Sequence, residues 1–147
     1  MKVLVINGPN LNMLGIREPD MYGNKDYRDL CQFIEKTCED NEIECEIFQS
    51  NWEGAIVDKI QEAYKKFDGI VINPAAYTHT SVAILDAIKA VGIPTVEVHL
   101  TRVDEREEFR RISYVSLAAK ARYVGLGFEG YAKAIMWLKE NLCNMDS

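Results

Sequence analysis

The sequence predicts an α/β domain built on a five-stranded parallel sheet covered by helices on both faces, and three observations lead there. Short apolar runs alternate along the chain with segments whose apolar residues recur at helical spacing. The runs stop at turn-forming clusters such as Asn7-Gly8-Pro9-Asn10 and Asn73-Pro74. With 147 residues, the chain fits one domain over 1–147, which buries roughly 70% of its unfolded surface and needs no staples.

Lys2 to Ile6 reads as a buried strand meeting a loop. Residues 12–24 mix Gly, Pro, Asn and charge without periodicity, too long for an ordinary connection, and are expected to form a lid. Leu30, Phe33, Ile34 and Cys38 then fall at helical spacing. Glu42 to Gln49 alternates, as a second strand would. Ser50-Asn51-Trp52-Glu53 resembles a capping box, opening a helix with Ile56, Ile60, Ala63, Tyr64 and Phe67 on one face.

Gly69 to Ile72 is the third strand, and Thr80 or Ser81 caps the helix that follows through Ile84, Leu85 and Ile88. Gly92-Ile93-Pro94 leads into a fourth strand, Thr95 to His99. An arginine-rich loop comes next, with a short helical piece from Glu105 to Arg110. Ala121 to Gly125 forms the fifth strand and Phe128 to Leu142 the last helix. Right-handed crossovers then favour the strand order 2-1-3-4-5, a three-layer flavodoxin-like arrangement.

Composition narrows the function. A hydrophobic share of 48% against 27% charged residues speaks against both disorder and membrane insertion. Met-Lys runs straight into a strand, too short for a signal peptide, so the expected location is cytoplasmic. Cys31, Cys38, Cys45 and Cys143 form no C-x-x-C pair and lie far from both histidines, so no metal site is expected. A net charge of −6 suggests affinity neither for nucleic acid nor for an anionic membrane. The local cluster of Arg102, Arg106, Arg110 and Arg111 suits a small anionic or polyhydroxylated ligand.

In open α/β sheets, ligands bind beyond the carboxyl ends of the strands near the switch in strand order. Asn10, Asn73 and His99 fall at such ends, and His79 lies in the loop after strand three. Glu97 and His99, two apart on a strand, point the same way. A carboxylate beside an imidazole fixes its tautomer and favours its protonated form, making a better-placed acid; a histidine bonded only for structure is the plain alternative. Arg17 and Tyr22 share the expected lid, where a guanidinium would favour a phenolate, although a loop tyrosine can equally be just exposed.

Gly125-x-Gly127-x-x-Gly130 has dinucleotide-fingerprint spacing but follows the last strand, and reads as a tight turn. A nucleotide- or flavin-binding module would need a phosphate-gripping loop after strand one, where Pro9 removes a backbone donor.

In order along the chain, Ile6-Asn7-Gly8-Pro9-Asn10-Leu11-Asn12, Arg17-Glu18-Pro19, Tyr22-Gly23, Gln49-Ser50-Asn51, Asn73-Pro74 and Tyr77-Thr78-His79-Thr80-Ser81 resemble type II 3-dehydroquinate dehydratase. Glu97-Val98-His99, Arg106-Glu107-Glu108-Phe109-Arg110 and Ser113-Tyr114 continue the match, so the resemblance covers nearly the whole chain. It implies dehydration of 3-dehydroquinate to 3-dehydroshikimate, in aromatic biosynthesis by the shikimate pathway or in quinate breakdown, without metal or organic cofactor. By similarity Tyr22 would be the base, held as phenolate by Arg17, and Asn10 would position a water that stabilises the enolate. His99, oriented by Glu97, would be the acid.

The resemblance further implies that Asn73 and the amides of Leu100 and Thr101 hold the substrate carboxylate, while Arg110 and His79 contact ring hydroxyls. Arg106 would support the site from behind, and Asp86 would reach a neighbouring subunit of a homododecamer, a tetramer of trimers. Several positions depart from the usual pattern. Ala75 replaces a common Gly, Thr101 a Ser, Arg102 and Asp104 an Asn and a His, and Trp52 a His. None removes a residue with a named catalytic role. A catalytically dead relative is the competing class, which only an assay separates.

Overall fold

Val3, Leu4, Val5 and Ile6 are all wholly buried, which requires a strand with both faces covered and both edges paired. A computed structural model, describing residues 1–16, 25–102 and 107–145, gives β1 (Lys2–Asn7) that central place. It is flanked by β2 (Glu44–Gln49) and β3 (Gly69–Asn73), with β4 (Thr95–His99) and β5 (Ala121–Val124) beyond β3. All pairs are parallel, and the order is β2-β1-β3-β4-β5, as expected.

Strand alternation splits the interior in two. Val3, Val5, Val71, Val96 and Val98 face α1 (Tyr27–Asp40) and α4 (Glu129–Met145), meeting Leu30, Ile34, Ile135 and Leu138. Leu4, Ile6, Ile70 and Ile72 face α2 (Glu53–Glu62) and α3 (Val82–Val91), meeting Ile56, Ile60, Ile84 and Ile88. Cys38 packs among the apolar residues of the first core, as its spacing implied.

Two local readings need correction. The capping box is absent at Ser50–Glu53: Trp52 is the N-cap of α2 and its side chain caps nothing, while Ser50 Oγ accepts from the Trp52 amide at 3.0 Å. A complete box instead opens α1, where Asp26 and Asp29 each accept the other's backbone amide at 2.9 Å. An aspartate at the third helical position supplies the carboxylate that glutamate usually gives there. Second, α2 stops at Glu62, leaving Tyr64 exposed; Lys65, with φ of 64°, turns the chain towards β3. Ser81 caps α3, as one of two candidates, by accepting from the Ile84 amide at 2.9 Å.

The segment expected to form a lid over 12–24 is anchored at its start. Leu11–Met13 is a single 3-10 turn, and Leu11 and Leu14 both pack into the core. Residues 17–24, with Arg17 and Tyr22, lie outside the described residues, as do Asp104 and Arg106.

Candidate active site

The carboxyl ends of β1, β3 and β4 supply the polar residues, and backbone constraints bring them together. Asn7 and Asn73 lie level across the β1–β3 pair, where an added Cβ at Gly8 would come within 2.6 Å of the Pro74 carbonyl oxygen. Only glycine lets these two strand exits approach so closely. Beyond Gly8, Asn10 adopts a left-handed conformation with φ of 70°, and its amide donates to Asn51 Oδ1 at 3.0 Å. Gln49 Nε2 donates to the Gly8 carbonyl at 3.2 Å and to Asn51 Oδ1 at 3.2 Å, binding this loop to the end of β2.

Asn73 is almost fully buried and its amide group is already engaged. Nδ2 donates to Tyr131 Oη at 2.9 Å, and Oδ1 accepts from the Ala75 amide at 3.1 Å. One of the two Nδ2 hydrogens remains available to a ligand. Tyr131 Oη in turn donates to Asn7 Oδ1 at 2.7 Å, and burial pushes its ionisation far above the ordinary phenol range, so it stays neutral.

Glu97 and His99 pair as the alternation predicted, with His99 Nε2 on Glu97 Oε2, which leaves Nδ1 for a ligand. Both are buried, at 0% and 2% exposure. Burial alone would raise the Glu97 carboxyl, but the hydrogen bond and charge of His99, then the charge of Arg122 and the Ser113 hydroxyl, bring it below its ordinary value. Glu97 is therefore a carboxylate inside the protein. Thr78 and Ser113 hydroxyls lie 3.2 and 2.9 Å from the same oxygen and 2.7 Å from each other.

His79 sits in the 3-10 turn Ala75–His79, close enough for the charge of His99 to act on it. Burial first, then His99 and Arg110, hold its imidazole below the ordinary value, so it is neutral near pH 7. Its Nδ1 lies 2.6 Å from the Ile112 carbonyl, which an N–H there satisfies, leaving Nε2 as an acceptor. Arg110, in the turn Glu108–Arg111, pairs with Glu107 at 2.6 Å. The Tyr114 amide donates to the Thr78 carbonyl at 2.8 Å, tying this segment to the loop after β3.

The family Dehydroquinase class II matches residues 1–139. This chain belongs to the class II dehydroquinases. A curated 3-dehydroquinate dehydratase of Fusobacterium nucleatum is 57% identical over 143 residues, 95% of this chain and 97% of its own. That of Clostridium acetobutylicum is 54% identical over 142 residues, 97% of this chain and 99% of its own. The crystal structure of type II dehydroquinase from Butyrivibrio crossotus superposes with a TM-score of 0.93 at 55% identity, covering 95% of this chain and 97% of that one. As a member of this family the protein is an enzyme, a lyase of the hydro-lyase kind.

Of the residues singled out in sequence, this dehydroquinase gathers Asn10, Asn73, His79, Glu97, His99, Leu100 and Thr101 at one end of its sheet. Asp86 is exposed on α3. The Gly125–Gly130 spacing is a turn, with φ of 78° at Gly125 and 59° at Gly127, and Gly130 packs close to Val98. Among the described residues, no three His, Cys, Asp or Glu side chains cluster to hold a metal, and no helix is long and apolar enough to cross a membrane.

Arg122 and Tyr131 were not singled out. Arg122 Nε stands 3.2 Å from Glu97 Oε2, and Tyr131 joins Asn7 to Asn73. A charge inside a four-residue strand, and a tyrosine on the apolar face of a helix, were the available signals.

Proposed function

We propose that this enzyme dehydrates 3-dehydroquinate to 3-dehydroshikimate by trans elimination through an enolate, with Tyr22 as base and His99 as acid. The observation carrying the reading is the buried Glu97–His99 pair at the end of β4, within a chain matched over 1–139 by this family. Tyr22, as a phenolate favoured by Arg17, takes the C2 proton next to the ketone. The electrons pass to the ketone oxygen, where Asn10 positions a water that stabilises the enolate.

Collapse of the enolate forms the ring double bond as the β-hydroxyl leaves. That hydroxyl takes a proton from the His99 imidazolium and departs as water. Glu97 orients the ring and compensates its charge before transfer. Nothing but water is lost, so the step needs no oxidant or reductant.

Asn73, through its remaining Nδ2 hydrogen, and the Leu100 and Thr101 amides would hold the substrate carboxylate. His79 Nε2 is placed to accept from a ring hydroxyl, and Arg110 to donate to one. Arg106 would support them, and the lid carrying Arg17 and Tyr22 would close over substrate. The exposed Asp86 is offered to the site of a neighbouring subunit in a homododecamer, and the enzyme would work in the cytoplasm.

Adding 3-dehydroquinate to purified protein in the presence of a chelator tests this. Growth of the ultraviolet absorbance of a conjugated ketone is expected, at a rate the chelator leaves unchanged. Folded protein that binds the compound without producing this signal would place the chain among non-catalytic relatives.

A further inference from the structure

Four groups converge on one oxygen of Glu97. His99 Nε2, Thr78 Oγ1, Ser113 Oγ and Arg122 Nε all approach Oε2, while Oε1 is buried with no hydrogen-bond partner among the described residues. A carboxylate offers about four acceptor positions, roughly two on each oxygen, so these groups compete. Arg122 reaches the carboxylate because β4 and β5 pair in a register that sets Glu97 beside Arg122. Its side chain is 30% exposed, whereas that of Glu97 is not exposed at all.

We propose that Arg122 is a positioning residue of this enzyme: its guanidinium shares the Glu97 carboxylate with His99 and thereby sets how firmly that carboxylate holds the imidazole and its proton. The single charge of Glu97 is shared between Arg122 and the His99 imidazolium, so protonating His99 leaves the three groups with a net positive charge. Without Arg122, Glu97 would be left as a buried charge that only the His99 imidazolium could offset. Arg122 thus keeps the imidazolium weakly enough held to release its proton to the departing hydroxyl.

The other charged or titratable groups near the pair, among the described residues, are few. His79 acts from the turn after β3, and Arg110 acts on His79 from the turn Glu108–Arg111. Arg102 follows β4, with its stem against Gly125. Arg122 Nε, by contrast, stands 3.2 Å from Glu97 Oε2 itself.

The consequence for catalysis rests on the reading of His99 as the acid, so the test uses one readout that does not depend on it. The sequence holds two histidines, and His79→Gln assigns their ring resonances in full-length protein labelled at histidine nitrogen. In Arg122→Gln, the midpoint of the His99 titration is expected to rise by about one unit, at the low end for loss of a nearby charge because Arg122 is partly exposed. Arg122→Lys, which keeps the charge on a more hydrated head, should lie between that variant and the parent. Arg122→Leu replaces the Gln variant if the latter does not fold.

A midpoint that stays within about 0.2 unit or falls, or a Lys variant matching the neutral one, overturns the proposal; a merely structural Arg122 would lower activity without moving the midpoint. The alkaline limb of kcat should shift upwards with the resonance midpoint. If the midpoint rises and the limb stays, Arg122 still controls His99, and it is the acid assignment that fails.

Discussion

Asn7 and Asn73, level with one another on adjacent strands, are joined by a single phenol: Tyr131 accepts from Asn73 at 2.9 Å and donates to Asn7 at 2.7 Å. The bridge fixes Asn73, the side chain proposed to hold the substrate carboxylate. Tyr131→Phe would strip both asparagines of a buried partner without changing the packing. A loss of about 2 kcal/mol in urea unfolding is expected, with KM raised more than kcat is lowered. A loss below about 0.5 kcal/mol would mean that water replaces the phenol.

Gly8 permits the approach of the first and third strand exits. Gly8→Ala would push a methyl into the Pro74 backbone, within 2.6 Å of its oxygen, and backbone yields less readily than a side chain. The enzyme should lose about 2–3 kcal/mol of stability and most of its turnover, read by urea unfolding and the absorbance assay. Unchanged kinetics in this variant would show that the loops do not need this spacing.

Ala75 stands where glycine is usual in the resemblance, and its φ is 51°. A non-glycine residue there costs about 1 kcal/mol, whereas trimming its partly buried methyl loses somewhat less than the roughly 0.8 kcal/mol of a full group. Ala75→Gly should therefore stabilise the fold slightly, by about 0.5 kcal/mol, measured as a higher urea midpoint. Destabilisation would mean that the methyl contact outweighs the strain.

Glu97 gives a pH dependence whose sign follows from its environment. Its folded carboxyl lies below the ordinary value of about 4.3, because His99, Arg122 and Ser113 outweigh burial. Its stabilising contribution is complete above about pH 4.3 and disappears as pH falls through the lower folded value. Unfolding free energies of the parent and Glu97→Gln should therefore differ most above pH 5 and converge towards pH 2. A constant difference across that range would show that Glu97 is not ionised in the folded enzyme.

Tyr22→Phe and His99→Ala each remove one partner of the proposed proton transfers. Each should lower kcat by at least about 100-fold while the unfolding midpoint moves little for Tyr22→Phe. Turnover near the parent's in either variant would end that role assignment.

The sequence by itself determined the layers, the strand order and the Glu97–His99 pairing. Apolar periodicity is local, crossover handedness is generic, and alternation along one strand puts residues two apart on one side without knowledge of any partner. It also carried the family, because motifs in order from Asn7 to Asn12 through Ser113-Tyr114 resemble those of type II 3-dehydroquinate dehydratase. Only the tertiary structure decided that Arg122 shares Glu97 and that Tyr131, 58 positions from Asn73 and 124 from Asn7, couples the two asparagines. Those contacts depend on strand register and on how α4 seats against the sheet, both set by packing of the whole domain rather than by any local pattern.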